Sequence, residues 1–440
     1  MKKSTMKKIH MLITLIMLSI TTFAQETVYP TPKETTPVII TNATVHVGNG
    51  QILENTSILI TDGKIKQIGS GIAAPSGAQT INAQGKQVYP GLILSVTDLG
   101  LLEVPSVRAT SDVREIGDIN ASIRSIVAYN TDSKVTNTLR SNGILLANIV
   151  PEGGLISGSS SVVQLDAWNW EDAAYKMDGG IHFYMPALLS PPPVGRAALR
   201  SPEQVPEDPI KMGLDRVDEI KSLLRAAKAY NAQTMHKETN LKLAALKGLF
   251  DKSQRFYVHA STVKQMLVAL DFVREFGVDM VIVGGSDSWQ IADLLKQNNV
   301  SVILGQSHSL PTLDDDDVDQ PYKTPAMLQK VGVLFSITDN DGQTRGRNLA
   351  YNAGTAVAYG LTKEQALQAI TLNAAKILGI ADKTGSIEVG KDANIVISTG
   401  DILDMRSSIV TDAFIQGRKI NLDNKQKQLY ERYKYKYNIK

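Results

Sequence analysis

Residues 385–397 read GSIEVGKDANIVI, and how this stretch is taken decides the fold. Its Gly and Lys imitate a phosphate loop, but Asp392 follows Lys391 where Ser or Thr is required. A carboxylate there repels phosphate, and the hydroxyl that would hold magnesium is missing. The run that follows is β-branched, which suits a strand rather than a helix. The stretch therefore opens a β segment, Ser386 to Ile397. A second run, Ile409 to Ile420, follows it with a turn at Gln416-Gly417. The N-terminal part repeats the pattern. VIITNATVHV at 38–47 and SILITDGKIKQI at 57–68 are strand-like, and Asp62-Gly63 is a two-residue hairpin signal. Two β segments so far apart can share one sheet, with the middle of the chain as an insertion.

That middle alternates strand and helix. Short apolar runs occur at 87–93, 144–150, 159–165, 180–185, 255–261, 279–284, 301–305 and 332–338. Helical spacing of Leu, Ile and Ala lies between several of them, at 213–249, 262–276 and 288–297. Thr362 and Gln365 form a capping box, and Gly379 stands where that helical pattern stops. Strand–helix units repeated about eight times predict a closed α/β barrel of the TIM type. Residues 190–209, with six prolines, 311–325, with Asp314 to Asp317 in a row, and the tail 424–440 read as loops. The acidic run is expected to be a solvated loop, with calcium binding the lesser reading.

Composition narrows the function. Of 440 residues, 46 are basic and 44 acidic, a formal charge of +2, too balanced for a nucleic-acid protein. There is no Cys, which removes disulfides and thiolate metal sites. Lys2, Lys3, Lys7 and Lys8, the apolar run Met11 to Phe23 and the small Ala24 have the layout of a secretory signal peptide. Residues 1–24 are expected to be removed, leaving an exported, periplasmic or secreted protein without a membrane anchor. The alternative is an uncleaved anchor, for which the run is short. The tail, with six basic residues and four Tyr, could touch an anionic surface but reads better as a packed or frayed terminus. Neither a dinucleotide fingerprint at Gly69–Gly71 nor a G-x-S-x-G elbow is present.

In such barrels the chemistry sits at the C-terminal ends of the strands. The relevant stretches are VYPGLILSVTDL (88–99), FYVHAS (256–261), IVGGS (282–286) and FSITDND (335–341). His and Asp at strand ends can share a metal ion or a water. Of the six His, His10 leaves with the signal and His46 belongs to the β domain; His182, His236, His259 and His308 remain.

The chain resembles the amidohydrolase superfamily, in particular imidazolonepropionase-like members. The resemblance runs through ITDGKIKQIG (60–69), INAQGKQVYPGLI (81–93), NGILLANIVPEGGLISGSSSVVQLD (142–166), VHA (258–260), ITD (337–339), ALQAITLNAAKILGI (366–380) and GSIEVGKDANIVI. It implies a (β/α)8 barrel with a small β sandwich built from both chain ends. The expected layout is 1–24 signal, 25–88 first part of the sandwich, 89–379 barrel, 380–423 second part of the sandwich and 424–440 tail. It also implies a divalent metal, zinc, that activates a water for attack on a C–N bond.

The departures are specific. The family's His-x-His at the end of strand one falls on Val96 and Asp98, and the strand-six His on Gly284. The strand-five His is kept as His259 and the strand-eight acid as Asp339. His182 falls near the position of a bridging Lys or Glu. The resemblance thus implies one metal ion held by His259 with Asp98, His182, His308 or Asp339, and Asp339 as the general base. The competing reading has a decayed metal site, with His259 and His182 as buried rings, Asp98 and His308 structural, and Asp339 capping a loop or pairing with Arg345 or Arg347. The function expected is hydrolysis of a small amide, cyclic amide or dipeptide-like molecule. The alternatives are a ligand-binding barrel without chemistry, or a metal-independent His259–Asp339 acid–base pair.

Overall fold

A computed structural model describes residues 28–189, 208–311 and 316–439. The expected signal peptide, most of the proline-rich stretch at 190–209, and Asp314 and Asp315 of the acidic run lie outside the described residues.

The two chain ends share one sheet. Its strands are β1 (Val38–His46), β2 (Ile52–Thr61), β3 (Lys64–Gly69), β4 (Gln79–Asn82) and β5 (Gln87–Pro90) from the N-terminal side. The C-terminal side supplies β14 (Ile395–Ser398), β15 (Val410–Ile415) and β16 (Arg418–Lys419). The order is β16-β15-β14-β5-β1-β2-β3, with β4 pairing β1. The two ends are joined where β5 meets β14 antiparallel, Val88 opposite Ile397. Both hairpin turns read from the sequence form: Asp62-Gly63 and Gln416-Gly417 carry positive φ at both positions, which suits the right-handed twist of the strands they join. The hydrogen bonding gives one continuous sheet around its own apolar cluster, which includes Ile40, Ile58, Val88, Ile395 and Phe414.

The second sheet is the barrel. It runs β6 (Leu92–Thr97), β7 (Ile144–Ile149), β8 (Ile156–Gln164), β9 (Ala174–Tyr184), β10 (Arg255–Ala260), β11 (Met280–Gly284), β12 (Ser301–Leu304) and β13 (Phe335–Ile337) in spatial order. The seam between β13 and β6 is bridged by side chains: Thr338 Oγ1 receives the Val96 N–H and donates to the Val96 carbonyl, and Ser95 meets Ser336 at 3.1 Å. The barrel is thus nearly closed.

One strand departs from the expected all-parallel pattern. β8 is antiparallel to both β7 and β9. Parallel neighbours need a crossover of a dozen or more residues, whereas the links 150–155 and 165–173 are only long enough for a meander. Two stretches read as loops are partly helical: a helix Gln320–Val331 begins inside 311–325, and Lys425–Tyr437 in the tail forms an exposed helix capped by Asn424. The tail's Lys, Arg, Gln and Glu are good helix formers, and an Asx cap suffices to start the turn.

Alternation along the strands builds two cores. On β10, Phe256, Val258 and Ala260 face the outer helices, whereas Tyr257 faces the barrel interior with Ile93, Leu146, Val281 and Ile303. After β10 the chain enters the helix Val263–Phe276 through a Thr262/Gln265 capping box and leaves it at Gly277 in the left-handed region. The Thr362/Gln365 box forms as well, and Gly379 ends the following helix at φ +67°.

Candidate functional site

A cavity of about 270 Å³ lies at the C-terminal ends of the barrel strands. Thr97, Tyr184, His259, Val283 and Ile303 bring β6, β9, β10, β11 and β12 to it, and Thr338 directly follows β13. β8, running the other way, supplies no lining residue.

Its floor is a block of four rings fixed by register. Tyr257 on β10 lies opposite His182 on β9, and His259 opposite Tyr184. Each pair stacks, at centroid distances of 4.6 Å and 3.8 Å. Gly180 makes the packing possible, since a Cβ there would meet the Tyr257 ring at 2.3 Å. Diagonally across the block, His182 Nδ1 and His259 Nε2 are 2.9 Å apart. Burial pushes both imidazoles below their ordinary range, His259 to about 3, so both are neutral at pH 7.

Neutral rings allow one proton on that bond. The buried His182 Nε2 has no partner. A bare lone pair is tolerated there better than an orphaned N–H. The proton of His182 is therefore assigned to Nδ1, donating to His259 Nε2. His259 is then the Nδ1–H tautomer, and its lone pair is already occupied.

The half-buried Asp98 follows β6. One carboxylate oxygen receives the Gly342 N–H at 2.9 Å. Burial, with smaller contributions from Glu152 and Asp341, pushes its carboxyl up to about 6, against the pull of the Gly342 N–H. Glu152, beyond β7, lines the same cavity. The sequence reading missed Glu152, Tyr184 and Gln265, which all line it. Position at a strand end would have found Glu152, and Tyr184 shares a face with His182 two residues earlier.

The other expected residues lie elsewhere. Thr338 and Asn340 line the cavity, whereas the buried Asp339 between them is not among its lining residues. It receives the Asp341 N–H at 3.3 Å and lies 3.7 Å from Arg345 Nε. Burial raises its pKa, with Arg345 pulling the other way. His308 is exposed, bonded to Thr355 Oγ1 at 2.8 Å, and lines no cavity with Asp98 or His259. The structure thus joins His182 to His259, sets Asp98 in the same cavity as His259, and leaves Asp339 and His308 apart from them.

These donors do not fit a metal ion. A catalytic zinc needs about three protein ligands. Among the described residues no three His, Asp or Glu side chains are grouped to hold one. The lone pair that His259 would give is spent on His182.

The fold and the strand-end cavity define a TIM-barrel-like protein with a cavity at the C-terminal ends of its strands. The profile of the amidohydrolase family matches residues 208–420. An imidazolonepropionase from Mesorhizobium japonicum is 24% identical over 79% of this chain and 87% of its own length. One from Thermoplasma volcanium is 36% identical over 21% of this chain, the match spanning 24% of that enzyme. The crystal structure of an amidohydrolase from Thermotoga maritima, 24% identical, superposes with a TM-score of 0.74 over 87% of this chain and 99% of its own. The chain is thus similar to the amidohydrolase family over residues 208–420 and to imidazolonepropionases over most of its length. Members of the amidohydrolase family generally bind a divalent metal.

Proposed function

We propose that the protein hydrolyses a carbon–nitrogen bond of a small amide, cyclic or dipeptide-like, in the cavity at the barrel mouth. The observation that carries this is Asp98, a carboxyl held near 6 within the same cavity as the His259 ring. A base with a pKa near the working pH can take a proton from water and return it. In the step proposed, water attacks the amide carbon, its proton passes to Asp98, and the C–N bond breaks as that proton reaches the leaving nitrogen. The Nδ1–H of His259 is the donor that ring can offer the developing oxyanion. The imidazolonepropionase relatives, named for a cyclic substrate class, support this choice of bond. No step is routed through a metal, because the donor set does not fit one.

The test is hydrolysis of a panel of N-acyl amides and lactams, with and without a chelator. The expected result is turnover indifferent to the chelator and lowered about 10²–10⁴-fold in Asp98→Asn. Activity that disappears on chelation and returns with zinc would overturn the metal-free route. A second reading, a barrel that binds a ligand without chemistry, is favoured by the same missing donor cluster; binding with no turnover across the panel would establish it.

We also propose export, supported by the Lys-rich start and the apolar run before Ala24. N-terminal sequencing of the protein recovered outside the cytoplasm should begin at Gln25.

A further inference from the structure

We propose that the helix Lys425–Tyr437 is a peripheral docking element that lies on an anionic phospholipid surface. The proposal is independent of the hydrolase reading.

Charge is segregated along the chain. Of the 46 basic and 44 acidic side chains, six basic and one acidic fall in residues 425–440 and four basic in 1–24, which leaves 36 basic and 43 acidic in the body. A basic block on an acidic body favours an anionic partner. Little inside the molecule meets these charges. Lys434 lies 3.7 Å from Glu431, and Lys427 Nζ donates to the Leu422 carbonyl at 2.9 Å. Lys436 stands over the rings of Tyr433 and Tyr437. Among the described residues, Lys425 and Arg432 enter no ion pair.

The charges are ordered around the helix. At 3.6 residues per turn, Leu429, Tyr430, Tyr433 and Tyr437 fall within one arc of about 100°. Lys425, Arg432 and Lys436 border that arc on one side, Lys427 and Lys434 on the other, and Glu431 lies on the far face. The helix buries none of its residues, and Tyr430, Tyr433 and Tyr437 are all more than half exposed. A ring stripe between two cationic rims matches a planar partner. The rings enter the headgroup layer, and the Lys and Arg stems reach the phosphates beside them. A nucleic-acid strand needs a basic groove to track, which the acidic body next to the helix opposes.

A second exposed ring pair lies at the same end of the barrel. The helix is held at its start, where the buried Asn424 caps it and donates to Ser141 Oγ at 2.7 Å. Gln426 Oε1 accepts from Thr138 Oγ1 at 3.1 Å. Ser141 ends the helix Thr136–Ser141, just before β7 begins at Ile144. The reversed β8 finishes at this end too, and Asp166 beyond it pairs with Arg140, the neighbour of Ser141. Two residues on, Trp168 is 63% exposed and lies 6.0 Å from the ring of Tyr29, itself 69% exposed. Trp and Tyr rings suit a boundary that is apolar on one side and wet on the other. The catalytic cavity lies past the opposite end of β7, at Val150 and Glu152. Docking through Ser141 and its neighbours thus leaves the mouth open to water.

The experiment is cosedimentation of the mature protein, residues 25–440, with vesicles of phosphatidylcholine alone or of equal parts phosphatidylcholine and phosphatidylglycerol. Binding to the anionic vesicles is expected to be at least about tenfold tighter and to weaken with salt. The double variant Arg432→Glu, Lys436→Glu should lower it by at least about tenfold, and Tyr433→Ser, Tyr437→Ser several-fold. Trp168→Ala should weaken it as well. These side chains are exposed, so the melting temperature of each variant should match that of the wild type. Equal binding to the two kinds of vesicle, or binding indifferent to the charge reversal, overturns the proposal. Loss in the charge variant with none in the Tyr variant also overturns it, because the helix would then attract anions without lying in the headgroup layer. A dimer in the absence of lipid that the Tyr variant abolishes would make a second copy the occupant of the stripe. Release from the vesicles by duplex DNA, with DNA binding unchanged in the Tyr variant, would assign the basic rims to nucleic acid. Either result rejects the lipid surface.

Discussion

His182 and His259 share a single hydrogen bond of 2.9 Å, and the far nitrogen of His182 has no partner. This relationship fixes the chemistry of both rings. Neither can be charged without burying a cation, and His259 cannot give its Nε2 to a metal while it accepts from His182. Nitrogen NMR should show two neutral imidazoles across pH 5–8, with His259 as the Nδ1–H tautomer. Zinc titration should leave both spectra unmoved; a zinc-induced shift of His259 would restore the metal reading.

The same rings make stability depend on pH. Both have folded-state pKa values depressed below the ordinary imidazole value, His259 to about 3. The unfolded chain then binds protons that the folded chain refuses. Their contribution is fully present above about pH 6.5 and is lost as pH falls toward 3, with a slope of up to roughly 1.4 kcal/mol per pH unit for each ring. Urea midpoints measured at pH 7 and pH 5 should show this loss. Tyr184→Ala, which opens His259 to water, should flatten it.

Much of this was legible in the sequence. The capping box at Thr362 and both hairpin turns follow from local chemistry, since turn and cap geometry are set by the residues themselves, and the β-branched runs at the two chain ends allowed a shared sheet without fixing its pairing. His259 was found because it ends a strand. What the sequence hid depends on register and direction. Which neighbour His259 meets is decided by the pairing of β9 with β10. Whether Asp339 lines the cavity is decided in the loop after β13, where no strand alternation can be counted. The reversal of β8 turns on a connection too short for a helix, visible in principle but masked by an apolar run that suits either direction.

Asp98 should dominate the pH profile of any hydrolysis. As a base it is active when ionised, so the rate should rise with pH and level off above about 6. Glu152→Gln removes one of the like charges that raise that carboxyl, and should move the inflection to lower pH. A profile unchanged in Glu152→Gln and still present in Asp98→Asn would remove Asp98 from the reaction.

Asp339 offers a clean separation of the two readings of its role. Placed outside the cavity against Arg345, it should behave as a structural group. Asp339→Ala should cost about 1–3 kcal/mol of stability, the usual range for a buried polar group stripped of its partner, and leave ligand affinity at the mouth unchanged. Loss of turnover by several orders of magnitude at unchanged stability would instead make it the general base that the family resemblance implies.

His46 carries the opposite pH sign, at the join between the composite sheet and the barrel. It lies on β1, with Nδ1 2.7 Å from Glu364 on the helix Lys363–Ala369 and Nε2 2.9 Å from Gln87. Burial alone would lower its pKa, but the bonds to Glu364 and Gln87, with Asp401 adding to them, outweigh that and raise it. The stabilisation is complete below about pH 6.5 and is lost as pH climbs through the raised folded value. Because both side chains are mostly buried, removing one leaves the other unpaired. His46→Ala and Glu364→Ala should therefore each lower the melting temperature, more at pH 6 than at pH 9. The double variant should cost less than the sum of the two. Additive losses that ignore pH would show that this pair contributes nothing to holding the sheet on the barrel.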